Sequence, residues 1–263
     1  VHHDHPDRGD QDGGGAVSKA DAGADSGLGG KGLLQSPEQW ALRMTTLAQT
    51  LAELTAYGKP FANDRGLDVG CQDGALTDEL SIRTDLHWFG VDPVLEGERR
   101  TSKGASLRHG VAHELPYPDR FFACAVLANV FEHVAPDLHQ ASLDELARVL
   151  AIGGILVGQL PNPYFPIESH SRLPFMGWLP PSVQRRYWRL SPVPWSHDFY
   201  SVTINDLLRH ATVSGFQPVT VRNFNYPIEA LPKSVQWAGR ALSHPMRHFP
   251  WAWQFVLRRS AHA

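Results

Sequence analysis

Two stretches of this 263-residue sequence carry residues whose types and spacing can do chemistry. The first is Gly66-Leu67-Asp68-Val69-Gly70-Cys71-Gln72-Asp73-Gly74, an apolar run entering a glycine-bearing loop that opens a helix. Gly70 and Gly74 permit a sharp turn and let a ligand come close to the backbone. Asp92 ends the next apolar run, Phe89-Gly90-Val91-Asp92, and an acid at that place can accept hydrogen bonds from both hydroxyls of a ribose. The dinucleotide pattern G-x-G-x-x-G fails because Gln72 stands at its second glycine, and no Gly-Lys-Ser/Thr follows to make a Walker loop. A nicotinamide dehydrogenase is therefore a weak reading.

The second stretch is 161–200, crowded with proline and with Tyr164, Phe165, Phe175, Trp178, Tyr187, Trp188 and Trp195. Long loops in compact domains are usually functional or disordered, and this one is too aromatic to be disordered. Glu168, His170, His197 and Asp198 supply acid–base capacity, and Arg185, Arg186 and Arg189 form a cationic cluster suited to phosphate or carboxylate. A plainer reading is a helical cap packed by its own aromatics, with the arginines on its surface. Packing accounts for most of the rings. The Glu168-x-His170 and His197-Asp198 pairs are harder to assign to packing and are candidates for an acceptor site.

The elements that must position these residues alternate between strand and helix. Ser36-Pro37-Glu38-Gln39 reads as an N-cap with proline at the first helical position, and the apolar spacing predicts a helix to Tyr57, ended by Gly58. Strands are predicted at 67–69, 87–91, 106–109 (weakly), 124–128, 155–160 and 217–224. Helices are predicted at 75–80, 138–150 and, capped by Thr203, through Val213, with Gly153-Gly154 as the turn out of the middle one. The C-terminal run could lie on a membrane surface, with Trp237, Phe249, Trp251, Trp253 and Phe255 among Arg240, Arg247, Arg258 and Arg259. A helix followed by a last strand over 251–257 is the preferred reading. The sum is a mostly parallel α/β sheet, whose ligands bind beyond the carboxyl ends of the strands.

Composition narrows the class. Lys+Arg 24 against Asp+Glu 27 leaves a net charge of −3, a poor balance for a dedicated nucleic-acid binder. Two cysteines, Cys71 and Cys124, exclude a disulfide scaffold and read as reduced core thiols of a cytoplasmic protein. No signal peptide is read at the N-terminus, and the longest uncharged stretch, 149–167, is broken by glycines and prolines. Residues 1–33, rich in Gly and Asp, read as a disordered tail, and 34–263 as one domain. His2, His3 and His5 could grip a metal, but a solvated tail is the simpler reading. In the folded part no ligand set with metal spacing is evident, so no metal is expected.

Further motifs complete an ordered set: His113-Glu114-Leu115-Pro116-Tyr117-Pro118-Asp119-Arg120-Phe121-Phe122, Ala128-Asn129-Val130-Phe131-Glu132-His133-Val134, Leu146 to Gly154, and Pro161-Asn162. In this order the motifs resemble the class I S-adenosylmethionine-dependent methyltransferases, in particular the methyltransferase type 11 branch, over about residues 60–224. The resemblance implies a Rossmann-like three-layer sandwich: a mostly parallel seven-stranded sheet with an aromatic lid inserted at about 161–200, after strand five. It implies S-adenosyl-L-methionine as cofactor. Asp68, Gly70, Gln72 and Gly74 would hold its methionine part and Asp92 its ribose. Ala112 and His113 lie where the family contacts adenine. Asn129 and His133 lie at the mouth between cofactor and substrate.

Two positions depart from the family pattern. Gln72 replaces a glycine, and Val111 stands where an acid commonly binds the adenine amino group. They keep open a catalytically inactive binding or scaffold domain of the same fold. The leading expectation is methyl transfer, at oxygen, to a small-molecule, glycan or lipid-linked acceptor. His133 is the first candidate base, with His170 and His197 as further catalytic candidates, and Glu132 reads as structural, tying the loop after strand four. The segment around 161–175 is loosely similar to lids of methyltransferases that serve polysaccharide and glycolipid assembly. His197-Asp198 is loosely similar to a feature of quinone-pathway O-methyltransferases, whose insert touches membrane. Peripheral membrane contact and the oligomeric state stay open.

Overall fold

This computed structural model describes residues 37–192, 199–230, 233, 236–242 and 249–261. The expected tail at 1–33, the N-cap Ser36, Trp195, His197 and Asp198 lie outside the described residues. The elements run α1 (Pro37–Thr55), β1 (Arg65–Val69), α2 (Ala75–Arg83), β2 (His87–Asp92), β3 (Arg99–Arg100), β4 (Ser106–His109) and β5 (Phe122–Ala128). They continue with α3 (His139–Val149), β6 (Leu150–Pro161), α4 (Pro181–Tyr187), α5 (Ile204–Val213), β7 (Phe216–Phe224), α6 (Gln236–Leu242) and β8 (Ala252–Arg259).

The eight strands form one sheet in the order β3-β4-β2-β1-β5-β6-β8-β7. Strands β4, β2, β1, β5 and β6 pair in parallel, while β3 and β8 run antiparallel to their neighbours. The strand order reverses at β1, which opens a crevice beyond its carboxyl end. One more strand is present than the seven expected: β3 has two residues, too few to show a period. Gly153-Gly154 does not simply end α3. It lies inside β6, where the pairing with β5 slips register between Phe122 and Cys124, and Gly153 takes φ +78°.

Strand alternation divides the core into two layers. Phe122, Ala125 and Leu127 of β5 face α3 and α5 through Leu143, Leu146 and Leu207. Cys124 and Val126 face α1 and α2 through Leu47, Leu51, Leu54 and Leu80. Both cysteines are buried free thiols. The last strand, β8, packs on both faces: Phe255 and Leu257, with Trp253 against them, join the layer of α3 and α5, and Val256 joins that of α1 and α2. Thr203 caps α5 as its sequence suggests: its hydroxyl accepts from the Asp206 amide while the Asp206 carboxylate accepts from the Thr203 amide.

One buried polar chain crosses the sheet. Arg222 of β7 donates to Oε1 of Gln254 on β8 at 2.8 and 3.1 Å. Gln254 Nε2 donates to Thr50 of α1 at 2.8 Å and to Gln159 of β6 at 3.0 Å. Gln159 Nε2 then reaches Asn129 Oδ1, just past β5, at 3.1 Å. Replacing Gln254 with leucine strands Gln159, Thr50 and Arg222 together, so Gln254→Leu is expected to destabilise by about 2–4 kcal/mol in denaturant titration.

Candidate active site

The glycine loop is set by the hydrogen bonding of β1 and β2. Gly70 and Cys71 both donate their amides to the Val91 carbonyl, at 2.8 and 3.1 Å. Gly70, Gln72 and Gly74 then take φ of +76°, +52° and +91°. A side chain at Gly70 would collide with Val130, since a Cβ there would come within 2.3 Å of its Cγ2. Gln72 adopts the left-handed conformation itself, so the glycine missing from the family pattern leaves the backbone path in place. Its amide donates to Oδ2 of Asp92 at 2.9 Å, and the Val94 amide donates to Oδ1 at 3.0 Å. Each carboxylate oxygen keeps acceptor capacity beyond these bonds.

Asp68 lies beneath this loop, almost wholly buried, and accepts from the Thr77 hydroxyl at 2.7 Å. Burial pushes its carboxyl up to about 7, against the lowering effect of the Thr77 hydroxyl and with help from the Asp92 charge.

On the other side of β2, Ala112 and His113 are half-buried in a turn closed by the pairing of Val111 with Glu114. The clamp on this turn was not recognised in the sequence. Arg148 of α3 donates to the carbonyls of Leu115 and Tyr117 and to Asp119, while Glu145 accepts the Leu115 amide. Asn129 takes φ +56° just past β5 and is held by Gln159 through both backbone and side chain.

The histidines converge from two parts of the chain. His133 sits on a single helical turn, Phe131–His133, soon after β5. His170 sits at the tip of a tight loop after β6, bracketed by bonds between the backbones of Glu168 and Leu173 and of Arg172 and Glu168. The buried Glu168 carboxylate builds this tip, accepting the amides of His170 and Ser171 and His170 Nδ1 at 2.7 Å. Burial alone would raise the Glu168 carboxyl. The charge and ring bond of His170 and the two amides outweigh it and bring it down to about 2. The His170 ring stacks on Phe199 at 4.6 Å and meets the His133 ring edge-on at 5.0 Å.

His170 Nε2 faces Glu132 Oε1 at 3.9 Å. Glu132 is a surprise. Its carbonyl accepts the Tyr200 amide and so ties the loop, but its carboxylate is buried and both oxygens lack a hydrogen-bond partner among the described residues. Burial raises its pKa, against the lowering effect of His133 and His170. Glu132, His133 and His170 each place one ligand-type atom within 4.8 Å of the others. The fold thus joins two of the candidate histidines, 37 positions apart, around an acid read as structural. The third, His197, lies outside the described residues.

Comparison with known proteins assigns the class. Residues 40–211 match a family model described as a methyltransferase domain, and the chain belongs to that family. Several solved structures share the fold. An S-adenosylmethionine-dependent methyltransferase from Mesorhizobium loti is 17% identical, with TM-score 0.54, covering 81% of this chain and 100% of its own. A sarcosine dimethylglycine methyltransferase from Galdieria sulphuraria, described as putative, is 15% identical, with TM-score 0.53 and coverage of 85% and 88%. A geranyl diphosphate methyltransferase, solved with its methyl donor, is 17% identical, with TM-score 0.50 and coverage of 88% and 92%. The curated proteins gave no match. The fold is thus that of the class I methyltransferases, and the residues present fit S-adenosylmethionine: a glycine cradle that a Cβ at position 70 would fill, and a carboxylate able to accept from a ribose.

Asp68 makes stability depend on pH. With its carboxyl held near 7 in the fold and near 3.8 when unexposed to that environment, the folded chain keeps a proton that the unfolded chain releases. Its contribution is complete below about pH 4 and is lost as pH rises through about 7. Thermal melts from pH 5 to 8 are expected to show a steeper fall in Tm for the parent than for Asp68→Asn.

Proposed function

We propose that the chain transfers the methyl group of S-adenosylmethionine to an acceptor hydroxyl. The observation that carries this reading is the juxtaposition of the two halves of the site. Val130, against which Gly70 packs, directly precedes the turn bearing Glu132 and His133. S-adenosylmethionine supplies a methyl group activated by a sulfonium. Asp68, Gly70, Gln72 and Gly74 would hold its methionine part, Asp92 its ribose, and Ala112 and His113 its adenine. Asn129 would mark the junction with the acceptor.

The chain's own task is then orientation and proton removal. Glu168, ionised across the neutral range, keeps a proton on His170 Nδ1 and so leaves Nε2 as the acceptor nitrogen. Nε2 lies 3.9 Å from Glu132 Oε1 with the His133 ring beside it, and it would take the proton of an acceptor hydroxyl brought there. Gln72 carries less weight for a non-catalytic domain than its type suggests, because it keeps the backbone path of a glycine.

The segment after β6 favours an acceptor presented at a lipid surface. Leu173, Met176 and Phe199 pack it from within, with Tyr187 and Trp188 against them. Phe175 and Trp178 remain 57% and 60% exposed, and Tyr164 and Phe249 adjoin Trp178. Arg185 and Arg186 of α4 and Arg189 of the helical turn after it line one cleft, with the exposed Leu190 next in sequence. Apolar rings beside arginines suit anionic lipid. Among the described residues no helix is long and apolar enough to cross a membrane.

Calorimetric titration with S-adenosylhomocysteine is expected to give micromolar binding that Asp92→Ala loses. In turnover assays on hydroxylated acceptors, Glu168→Gln is expected to lower kcat about 10–100-fold while leaving S-adenosylhomocysteine affinity within about twofold. Absence of cofactor binding at millimolar ligand would overturn the reading. Co-sedimentation with vesicles of phosphatidylglycerol is expected to exceed that with phosphatidylcholine, and to fall for the double variant Phe175→Ser, Trp178→Ser.

A further inference from the structure

We propose that Glu132, His133 and His170 form a binding site for one divalent transition-metal ion. Three observations carry it. The first is the donor set: two imidazoles and one carboxylate, a combination suited to zinc, cobalt or ferrous iron. The second is an unsatisfied acid. The Glu132 side chain is only 4% exposed, and among the described residues neither oxygen has a hydrogen-bond partner, although its Oε1 faces His170 Nε2 at 3.9 Å. A buried carboxylate without donors is costly, and a cation on its open side is one of the few partners that removes the cost. The third is the support behind a ligand. Glu168 holds His170 Nδ1 at 2.7 Å and Phe199 stacks on the ring, so the imidazole is oriented with Nε2 toward Glu132. A carboxylate fixing the far nitrogen of a ligating histidine is a common outer shell of zinc sites.

The spacing fits. Two donors about 2.1 Å from an ion stand about 3.4 Å apart in a tetrahedral shell. The three donor atoms here lie within 4.8 Å of one another, so side-chain adjustments of about an ångström close the shell. Three ligands among the described residues leave a fourth tetrahedral position.

The sequence conceals this site because no two of its ligands stand at a metal-motif spacing: Glu132 and His133 are adjacent, and His170 arrives only through the loop after β6. What the ion would do there rests on the methyl-transfer reading. With the ion bound, His170 Nε2 is a ligand and no longer a base, so the ion would replace it in activating an acceptor hydroxyl, whose proton then leaves to solvent. Binding of the ion itself does not depend on that reading.

The test uses the full chain with His2, His3 and His5 replaced by alanine, which removes the tail histidines as competing ligands. Zn²⁺ is titrated calorimetrically and Co²⁺ by visible absorption, both without cofactor. One equivalent of Zn²⁺ with micromolar or tighter Kd, with ligand-field bands for Co²⁺, is expected. Glu132→Gln and His170→Gln are each expected to weaken binding at least about 100-fold, and Glu168→Gln about 10–100-fold. Melting curves without metal establish that each variant is folded. If Glu132→Gln is not, His133→Gln and His170→Gln carry the comparison. No bound ion, or equal affinity in all folded ligand variants, would overturn the site. S-adenosylhomocysteine titration in a separate arm keeps the two proposals apart: its failure with metal binding intact overturns methyl transfer alone.

Discussion

Parallel pairing of β1, β2, β5 and β6 is the constraint on which the rest of the structure depends. A parallel neighbour can be reached only by a crossover that returns the chain to the starting edge. Every strand of this group therefore ends on the same side, at Val69, Asp92, Ala128 and Pro161. The glycine loop, Asp92, Asn129 and the aromatic segment all stand at or follow one of those four ends. Their meeting is a consequence of topology, and the side chains only refine it.

Refinement comes from polar groups that hold irregular backbone where no ladder can. Asp92 takes two amides of the loops it faces, Glu145 and Arg148 fasten the turn that carries Ala112 and His113, and Glu168 wraps its own loop. Each is a carboxylate or guanidinium satisfying backbone groups that would otherwise be unpaired. The chain from Arg222 through Gln254 and Gln159 to Asn129 does the same across the sheet, linking the far antiparallel edge to the crevice. Against that background, Glu132 stands out: among the described residues neither oxygen of its buried carboxylate has a hydrogen-bond donor.

Much of the fold was legible because its elements obey simple periods. Apolar spacing gave α1 and α3, the Thr203 cap marked the start of α5, and short apolar runs gave five parallel strands. Two features escaped for physical reasons. β3 exists only because β4 offers it an edge, and the two glycines after α3 serve a bulge in β6, which depends on a neighbour distant in sequence. The residues proposed for the cofactor could be named for the same local reason: Asp68 to Gly74 and Asp92 stand at or just past the ends of β1 and β2.

The residues proposed for the acceptor could not be joined in this way. His133 and His170 could be suspected from their type, but nothing in the sequence ties them to each other or to Glu132. Their juxtaposition is set by where the loop after β6 folds back over the end of β5, a long-range event decided by packing against Phe199 and by the Tyr200 amide on the Glu132 carbonyl. The sequence by itself determined the class of sheet, the strand that runs into a glycine loop and the chemistry available to each side chain, since these follow from local period and residue type. Only the tertiary structure decided which acid is satisfied, which is not, and which two histidines share its space. Burial and partnership belong to the packed chain as a whole.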